Sequence, residues 1–185
     1  MRNVLIAVSG PSGVGKGTLV KTLVKKRDDG VESVSCTTRE PRSGEVNGRE
    51  YFFLSKAEFE AKIAENEFLE YDQHFENYYG TPKTFVEETL KEKSVVLEID
   101  VVGALNAKKV VPQCVLVFIE PPSKEELRRR LSGRNSETEE QIANRLSRLE
   151  YELSQSEKYD YRVVNDDFDE AMKSLEEILD YEKSK

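Results

Sequence analysis

The chain has 185 residues, which is enough for one domain with a sizeable hydrophobic core. Its formal net charge of −8 argues against nucleic acid or an anionic membrane as the main partner, because both would repel an acidic protein. The two cysteines lack metal-binding spacing, and the first apolar run is too short for a signal peptide or a membrane span. We therefore expect a reduced, cytoplasmic protein. We also expect a monomer or a homodimer, between which the sequence does not decide.

The first predicted elements are a strand over the apolar run 4–8, a glycine-rich loop and a helix. The loop reads Gly10-Pro11-Ser12-Gly13-Val14-Gly15-Lys16-Gly17-Thr18. Its glycines allow backbone N–H groups to turn toward a bound anion, the helix N terminus adds partial positive charge, and Lys16 supplies a mobile cation. This segment predicts a cradle for the phosphates of a nucleotide.

One position departs from the usual pattern of such loops, GxxxxGK[ST]. Gly17 stands where a magnesium-binding hydroxyl is expected, and Thr18 follows it. We expect Thr18 to contact a phosphate, and Mg²⁺ to be held largely by water and by the phosphates. No direct protein ligand is predicted for the metal. Thr18 and Asp100, which ends a later strand, are candidates for contact through water.

Residues 36–81 do not have the composition of a buried core and predict an inserted lobe of mixed helix and strand. Ser55 and Glu58 form the sequence pattern of a capping box at the start of a helix. Thr81 and Pro82 predict the start of the next helix, with Thr81 as its cap. His74, the only histidine, is expected in a surface loop.

After this lobe the pattern of a parallel sheet returns. Short apolar runs at 95–99 and 114–119 are separated by a helix-sized segment, which is typical of buried parallel strands joined by crossovers. We therefore predict an α/β fold with a three-layer core, an inserted mixed lobe and a helical lid within a single domain. The predicted boundaries are core 1–35, 82–125 and 156–185, lobe 36–81 and lid 126–155.

Two groups of arginines predict further anion-binding positions. In the lobe, Arg39 and Arg42 are separated by a Glu-Pro pair that limits backbone freedom, and guanidinium groups bind phosphate bidentately. Tyr51 and Tyr79 can add phenolic donors. The second group lies in the predicted lid, where the spacing allows each pair to present one face to a phosphoryl group: Arg130, Arg134, Arg145 and Arg148.

Six blocks of this sequence resemble guanylate kinases, and together they span essentially the whole chain. They are GPSGVGKGT at 10–18, SCTTREPRSGEVNGREY at 35–51, NYYGTP at 77–82, LEIDVVG at 97–103, RLSGRNSETEEQIANRL at 130–146 and VVNDD at 163–167. The resemblance implies a P-loop NTPase core with a nucleoside-monophosphate lobe and a lid. It also implies Mg²⁺-dependent conversion of ATP and GMP, with dGMP as a further acceptor, to ADP and GDP in purine nucleotide metabolism.

The resemblance further implies roles for individual residues. ATP would contact the whole loop 10–18, with Asn165 near the adenine. The phosphate of GMP would be held by Arg39, Arg42, Tyr51 and Tyr79. Guanine would be read by Ser35, Glu70, Thr81 and Asp100. The catalytic residues would be Lys16, Arg130, Arg134 and Arg145, with Arg148 a weaker candidate. The chain departs from the common family pattern at Gly17, Glu76 and Val102.

The chemistry of a carboxylate suits Glu70 to the choice of base. It can accept hydrogen bonds from N1–H and the 2-amino group of guanine together, whereas adenine has an unprotonated N1 and no 2-amino group. A buried Glu70 would be left unpaired by adenine, and such mismatches reduce reactivity by about 10⁴-fold. The alternative is that Glu70 is an exposed strand residue without a ligand.

Three alternative functions remain open on the sequence. Guanylate-kinase-like domains of scaffold proteins bind phosphopeptides without catalysis, although they have generally lost parts of the ATP site that this chain retains, such as Gly15 and Lys16. A GTP-binding switch is suggested by the DxxG pattern at 100–103, but the sequence contains no NKxD motif. A different small-molecule kinase would need another explanation for the arginines, tyrosines and Glu70 of the lobe.

Overall fold

The structure is a computed structural model that describes residues 1–74, 76–123, 125–126 and 139–185, with only the helical backbone described at 139–146. The strands are β1 (Leu5–Ser9), β2 (Gly30–Glu32), β3 (Cys36–Thr37), β4 (Phe52–Phe53), β5 (Phe68–His74), β6 (Asn77–Pro82), β7 (Ser94–Glu98), β8 (Val115–Glu120) and β9 (Tyr161–Val164). The helices are α1 (Lys16–Lys26), α2 (Lys56–Ala64), α3 (Lys83–Thr89), α4 (Val101–Val110), α5 (Glu139–Ser154) and α6 (Phe168–Ser184). None of these described helices is both long enough and apolar enough to cross a membrane.

The main sheet contains five parallel strands in the order β2-β7-β1-β8-β9. All five residues of β1 are buried, because this central strand is covered by helices on both faces. One face packs against α1 and α6 through residues such as Leu19 and Met172. The other packs against α3 and α4 through residues such as Val86 and Ala104. The predicted three-layer α/β core with a parallel sheet is confirmed.

A second sheet, in the order β4-β3-β6-β5, is built from the segment between β2 and α3. Its small core is organised around Phe59 of α2, which is fully buried. The Phe59 ring stacks on Phe68 and on Tyr78, with centroid distances of 4.3 and 5.2 Å. The predicted capping box at the start of α2 is present, with Ser55 and Glu58 bonded reciprocally. This aromatic stack attaches α2 to the sheet.

Two local predictions in this segment are wrong. Thr81 and Pro82 belong to β6, and α3 begins at Lys83 without a side-chain cap. His74 ends β5, where it pairs with Asn77 of β6, and does not lie in a loop. In both cases antiparallel pairing between β5 and β6 outweighs the local turn and helix-start signals.

We expect Phe59→Ala to destabilise the protein by about 3 kcal/mol, because the substitution leaves a cavity beneath the second sheet. Phe85→Ala is the matched control, since Phe85 of α3 is 39% exposed. Its expected cost is about 1 kcal/mol or less. Urea unfolding followed by circular dichroism measures both values. Equal destabilisation by the two substitutions would contradict the assignment of Phe59 as the centre of this core.

Candidate active site

A cleft with a volume of about 730 Å³ lies where the loop 10–18 meets the second sheet, the start of α4 and the end of α5. Eleven residues with predicted roles line it: Gly10, Ser12, Lys16, Ser35, Arg39, Arg42, Tyr51, Glu70, Tyr79, Asp100 and the weaker candidate Arg148. Sequence reasoning gave no binding role to several others that line it, namely Asp72, His74, Asn77, Gly80, Glu98, Ile99, Gly103 and Glu152. The structure thus gathers residues from distant parts of the chain into one polar site.

The loop after β1 is shaped by glycine conformations that other residues adopt at a cost. Gly10 has φ +148°, and a Cβ there would lie 2.4 Å from the carbonyl oxygen of Ile119. Gly15 has φ +95° and forms the N-cap of α1, so that Lys16 is the first helical residue. The Asn165 amide donates to the carbonyl of Val14 over 2.8 Å and holds the loop against the core. The helix N terminus is therefore presented to an anion.

Some of the remaining loop residues are buried beneath the loop, and others are exposed to solvent. Pro11 and Val14 are buried under the loop, whereas Ser12, Gly13 and Thr18 are exposed. Gly17 lies beside Glu98, and a Cβ at position 17 would be 3.1 Å from both carboxylate oxygens of Glu98. The space expected for the missing hydroxyl side chain is thus bordered by a carboxylate. The sequence signal for Glu98 was its position at the end of an apolar strand, where ligands of parallel sheets gather.

The arginines of the lobe are organised by a carboxylate that sequence reasoning missed. Nη2 of Arg39 lies 3.0 Å from both oxygens of Glu45, and the backbone N–H of Arg42 donates to the same carboxylate over 2.7 Å. This pairing raises the pKa of Arg39 and lowers the pKa of Glu45. The Arg39 guanidinium also lies 5.5 Å from the Tyr51 ring, which in turn packs edge-on against Tyr79. The loop is therefore ordered around a positively charged corner of the cleft.

Glu70 is buried, which excludes the alternative that it is an exposed strand residue. The hydroxyl of Thr81 donates to one of its oxygens over 2.6 Å. A Cβ at Gly103 would lie 2.8 Å from the other oxygen, so this approach requires glycine. Burial raises the pKa of Glu70 to about 7, against the opposing effect of the Thr81 hydrogen bond, and the charges of Asp100 and Asp72 add to the rise. The site thus holds a desolvated carboxyl with free acceptor capacity.

Asp100 joins the core to the second sheet and to α5. Its Oδ1 accepts from the N–H of Gly103 over 2.8 Å and caps α4. Its Oδ2 contacts Nε2 of His74 and lies 3.4 Å from Nη2 of Arg148. Nε2 of His74 is also 3.4 Å from Asp72. Asp72, His74 and Asp100 are close enough together to bind a metal, but the Arg148 guanidinium already lies against this cluster.

Glu152 of α5 extends this network toward the loop 10–18. Its carboxylate is buried and accepts from Nε of Arg148 over 3.0 Å. Burial raises the pKa of Glu152, while the positive charges of Arg148 and Lys16 oppose that rise. Contacts among Glu152, Arg148, Asp100 and His74 therefore link α5 to the polar end of β5, on the side of the cleft where the charge of Lys16 acts on Glu152. Glu152 had no distinguishing local signal, because helices commonly carry exposed glutamates.

Comparison with known proteins decides the family. The sequence model described as "Guanylate kinase" matches residues 1–182. The chain belongs to the guanylate kinase family. It is 51% identical over 183 residues to the guanylate kinase of Clostridium perfringens (strain SM101 / Type A), covering 98% of this chain and 85% of that protein. It is 48% identical over 185 residues to the guanylate kinase of Clostridioides difficile (strain 630), covering 100% and 90%.

Solved structures agree with this family assignment. The crystal structure of guanylate kinase from Anaplasma phagocytophilum superposes with a TM-score of 0.83 at 35% identity, covering 100% of this chain and 88% of that one. A shikimate kinase from Bacteroides thetaiotaomicron, at 14% identity and a TM-score of 0.50, shares the fold alone. The predicted resemblance to guanylate kinases is confirmed, the chain is an enzyme of that family, and the non-catalytic phosphopeptide module is not favoured.

Three of the guanylate kinase residues predicted to be catalytic lie outside what the structure describes. Arg130 and Arg134 fall in the segment between 126 and 139, and the side chain of Arg145 belongs to the part of α5 described as backbone only. Their roles stay predictions. Lys16, the fourth predicted catalytic residue, lines the cleft.

The raised pKa of Glu70 predicts a pH-dependent stability of the unliganded protein. Between the ordinary glutamate value of 4.5 and about 7, the unfolded chain releases this proton before the folded protein does. Rising pH therefore lowers the free energy of unfolding, by about 2 to 3 kcal/mol between pH 4 and pH 8. Urea titrations should show this component in the wild type and its loss in Glu70→Gln. Identical pH profiles for the two proteins would contradict a raised pKa.

Proposed function

We propose that this enzyme transfers the γ-phosphoryl group of ATP to GMP, and also to dGMP, giving ADP together with GDP or dGDP. The observation that carries the proposal is a single cleft that contains both Lys16 of the phosphate cradle and the buried Glu70. The first suits the phosphates of ATP, and the second suits the donor edge of guanine. The positively charged corner around Arg39 lies in the same cleft and suits the phosphate of GMP.

Base selection follows from the charge and burial of the cleft. Glu70, buried beside Thr81, can accept from N1–H and the 2-amino group of guanine, and Asp100 and Ser35 line the same space. Adenine would offer no donor at these two positions and would leave a desolvated carboxylate unpaired. The arrangement therefore favours guanine in two ways. Guanine gains hydrogen bonds to Glu70, and adenine pays the free energy of a buried carboxylate without a partner.

The transfer itself needs no general base. The attacking oxygen belongs to a phosphate that is already largely ionised near neutral pH, so the barrier lies in bringing two anions into line and neutralising the moving charge. Lys16, the backbone N–H groups of the loop 10–18 and the arginines of the predicted lid supply this positive charge. We infer the same division as the sequence suggests, with a core, a GMP lobe at 36–81 and a lid at 126–155. Closure of these parts would exclude water as a competing acceptor.

Magnesium would enter with ATP as the cofactor of the reaction. The donor set fits this, because the Glu98 carboxylate borders Gly17 at the phosphate cradle, and carboxylate oxygens suit Mg²⁺. Glu98 would hold the ion directly or through water, in addition to the water-mediated contacts proposed for Thr18 and Asp100. When bound, the ion neutralises charge on the phosphates of ATP.

The direct test is a coupled assay of ADP formation from ATP and Mg²⁺ with GMP, dGMP, AMP, CMP or UMP as acceptor. We expect turnover with the two guanine nucleotides. Lys16→Ala should lower that turnover by about 100-fold or more, because it removes the cation of the phosphate cradle. Lys25→Ala, on the exposed end of the same helix, should retain it. Folded protein with no turnover on any acceptor would show that the proposed reaction is wrong.

Glu70→Gln tests the choice of base. The amide has one acceptor oxygen and two unwanted donors, so kcat/KM for GMP should fall by about 100-fold or more while the KM for ATP changes little. Glu60→Gln, on the exposed face of α2, is the matched control. A Glu70→Gln enzyme with unchanged kcat/KM for GMP would remove Glu70 from base recognition.

A further inference from the structure

The guanidinium of Arg148 contacts partners on three elements. Nε donates to Glu152 one turn along α5, over 3.0 Å. Nη2 lies 3.4 Å from Oδ2 of Asp100 at the start of α4, and 3.3 Å from Nε2 of His74 at the end of β5. All four side chains line the cleft, and that of Arg148 is 39% exposed. Arg148 is therefore accessible from the cleft while it pairs with the carboxylates of Glu152 and Asp100.

The two carboxylate oxygens of Asp100 have different partners. Oδ1 is committed to the N–H of Gly103 as the cap of α4. Oδ2 is the oxygen that contacts His74 and Arg148. A base that donates a hydrogen bond to Oδ2 of Asp100 from the cleft therefore competes with these two side chains for that oxygen. This step rests on the proposed function, in which Asp100 binds guanine.

We propose that Arg148 is a further catalytic residue, and that GMP binding releases it by displacing its Nη2 from Asp100. In the free enzyme the guanidinium is shared between Asp100, His74 and Glu152. When guanine occupies Oδ2 of Asp100, Arg148 keeps its bond to Glu152 through Nε and its terminal nitrogens become free. The guanidinium then acts on the transferring phosphoryl group.

The charges in the cleft indicate where the released group goes. The positive charge of Lys16 acts on the Glu152 carboxylate, and both residues line the same cleft. Glu152, which binds Nε of Arg148, therefore lies on the side of the cleft that carries the phosphate cradle. A phosphoryl group in transfer carries several negative oxygens, and the planar fork of arginine can bind two of them at once. Without GMP, the Arg148 guanidinium already pairs with the carboxylates of Glu152 and Asp100. Its movement toward the phosphates would then gain little free energy.

His74 is a positioning residue in this scheme. It contacts the same oxygen of Asp100 that guanine needs, and it lies beside the Arg148 guanidinium. Its imidazole therefore competes with guanine and helps to keep Arg148 in place. Loss of the imidazole should make GMP binding tighter, whereas loss of a merely structural contact would weaken it.

Arg148→Ala provides the decisive pair of measurements. We expect kcat with GMP to fall by about 100-fold, because a cation is lost from the transition state. We also expect the Kd of GMP, measured by calorimetry without ATP, to fall by about threefold, because a partly exposed ion contact no longer has to be broken. Arg148→Lys should restore part of kcat. Arg162→Ala, an exposed arginine of β9, is the control and should match the wild type in both values.

A second series tests the exchange at Asp100 through His74. His74→Ala should lower the Kd of GMP by about threefold, and His74→Gln, which keeps an N–H donor, should bind GMP as the wild type does. Gln73→Ala, on the opposite face of β5, controls for disturbance of the strand. Circular dichroism establishes that each variant is folded.

The outcomes separate this inference from the proposed reaction. Wild-type kcat in Arg148→Ala, or GMP binding that is unchanged or weaker in Arg148→Ala and His74→Ala, would overturn the release of Arg148 while wild-type turnover with GMP still supports the kinase. A wild-type enzyme that does not phosphorylate GMP would overturn the proposed reaction and the role of Arg148 with it.

Discussion

Parallel pairing of β1 with β7 and β8 is the constraint on which the site depends. It brings the carboxyl ends of these strands to one edge, where Gly10 follows β1 and Glu98 ends β7. The same edge receives Asn165, whose backbone N–H bonds to Glu120 at the end of β8 and whose side chain supports the loop at Val14. Cradle, carboxylates and supporting amide therefore share one edge because these strands all run in the same direction.

The cleft is built from opposed charges held close together. The acidic chain concentrates Glu70, Asp72 and Asp100 on one side, and burial makes unpaired carboxylates costly. In the free protein they are satisfied by Thr81, a helix N terminus, His74 and Arg148. The donor edge of guanine can replace part of this set. Under the proposed release of Arg148, these shared partners would link recognition of the base to movement of positive charge toward the phosphates.

The parts of the site that could be predicted are those whose structure depends on residues close together in the sequence. The loop 10–18 follows from glycine conformations and a helix start, and the core strands follow from apolar runs that only a buried parallel sheet explains. The role of Glu45 was not predictable, because its contact to Arg39 depends on how a polar loop folds back on itself. Glu98 was missed although it ends an apolar strand, whereas Glu152 and His74 were missed for the same reason as Glu45. A lone carboxylate or imidazole has no periodic signal, and its partners come from other elements.

The sequence by itself determined the α/β architecture, the phosphate cradle and the family, because each depends on residue types at fixed local spacing. Only the tertiary structure decided that Pro82 ends a strand and that His74 faces the cleft, since the pairing of β5 with β6 outweighs local turn signals. It also decided that Oδ2 of Asp100 contacts both His74 and Arg148. These three residues are far apart in the chain, and their contact exists only because the second sheet, α4 and α5 converge on one cleft.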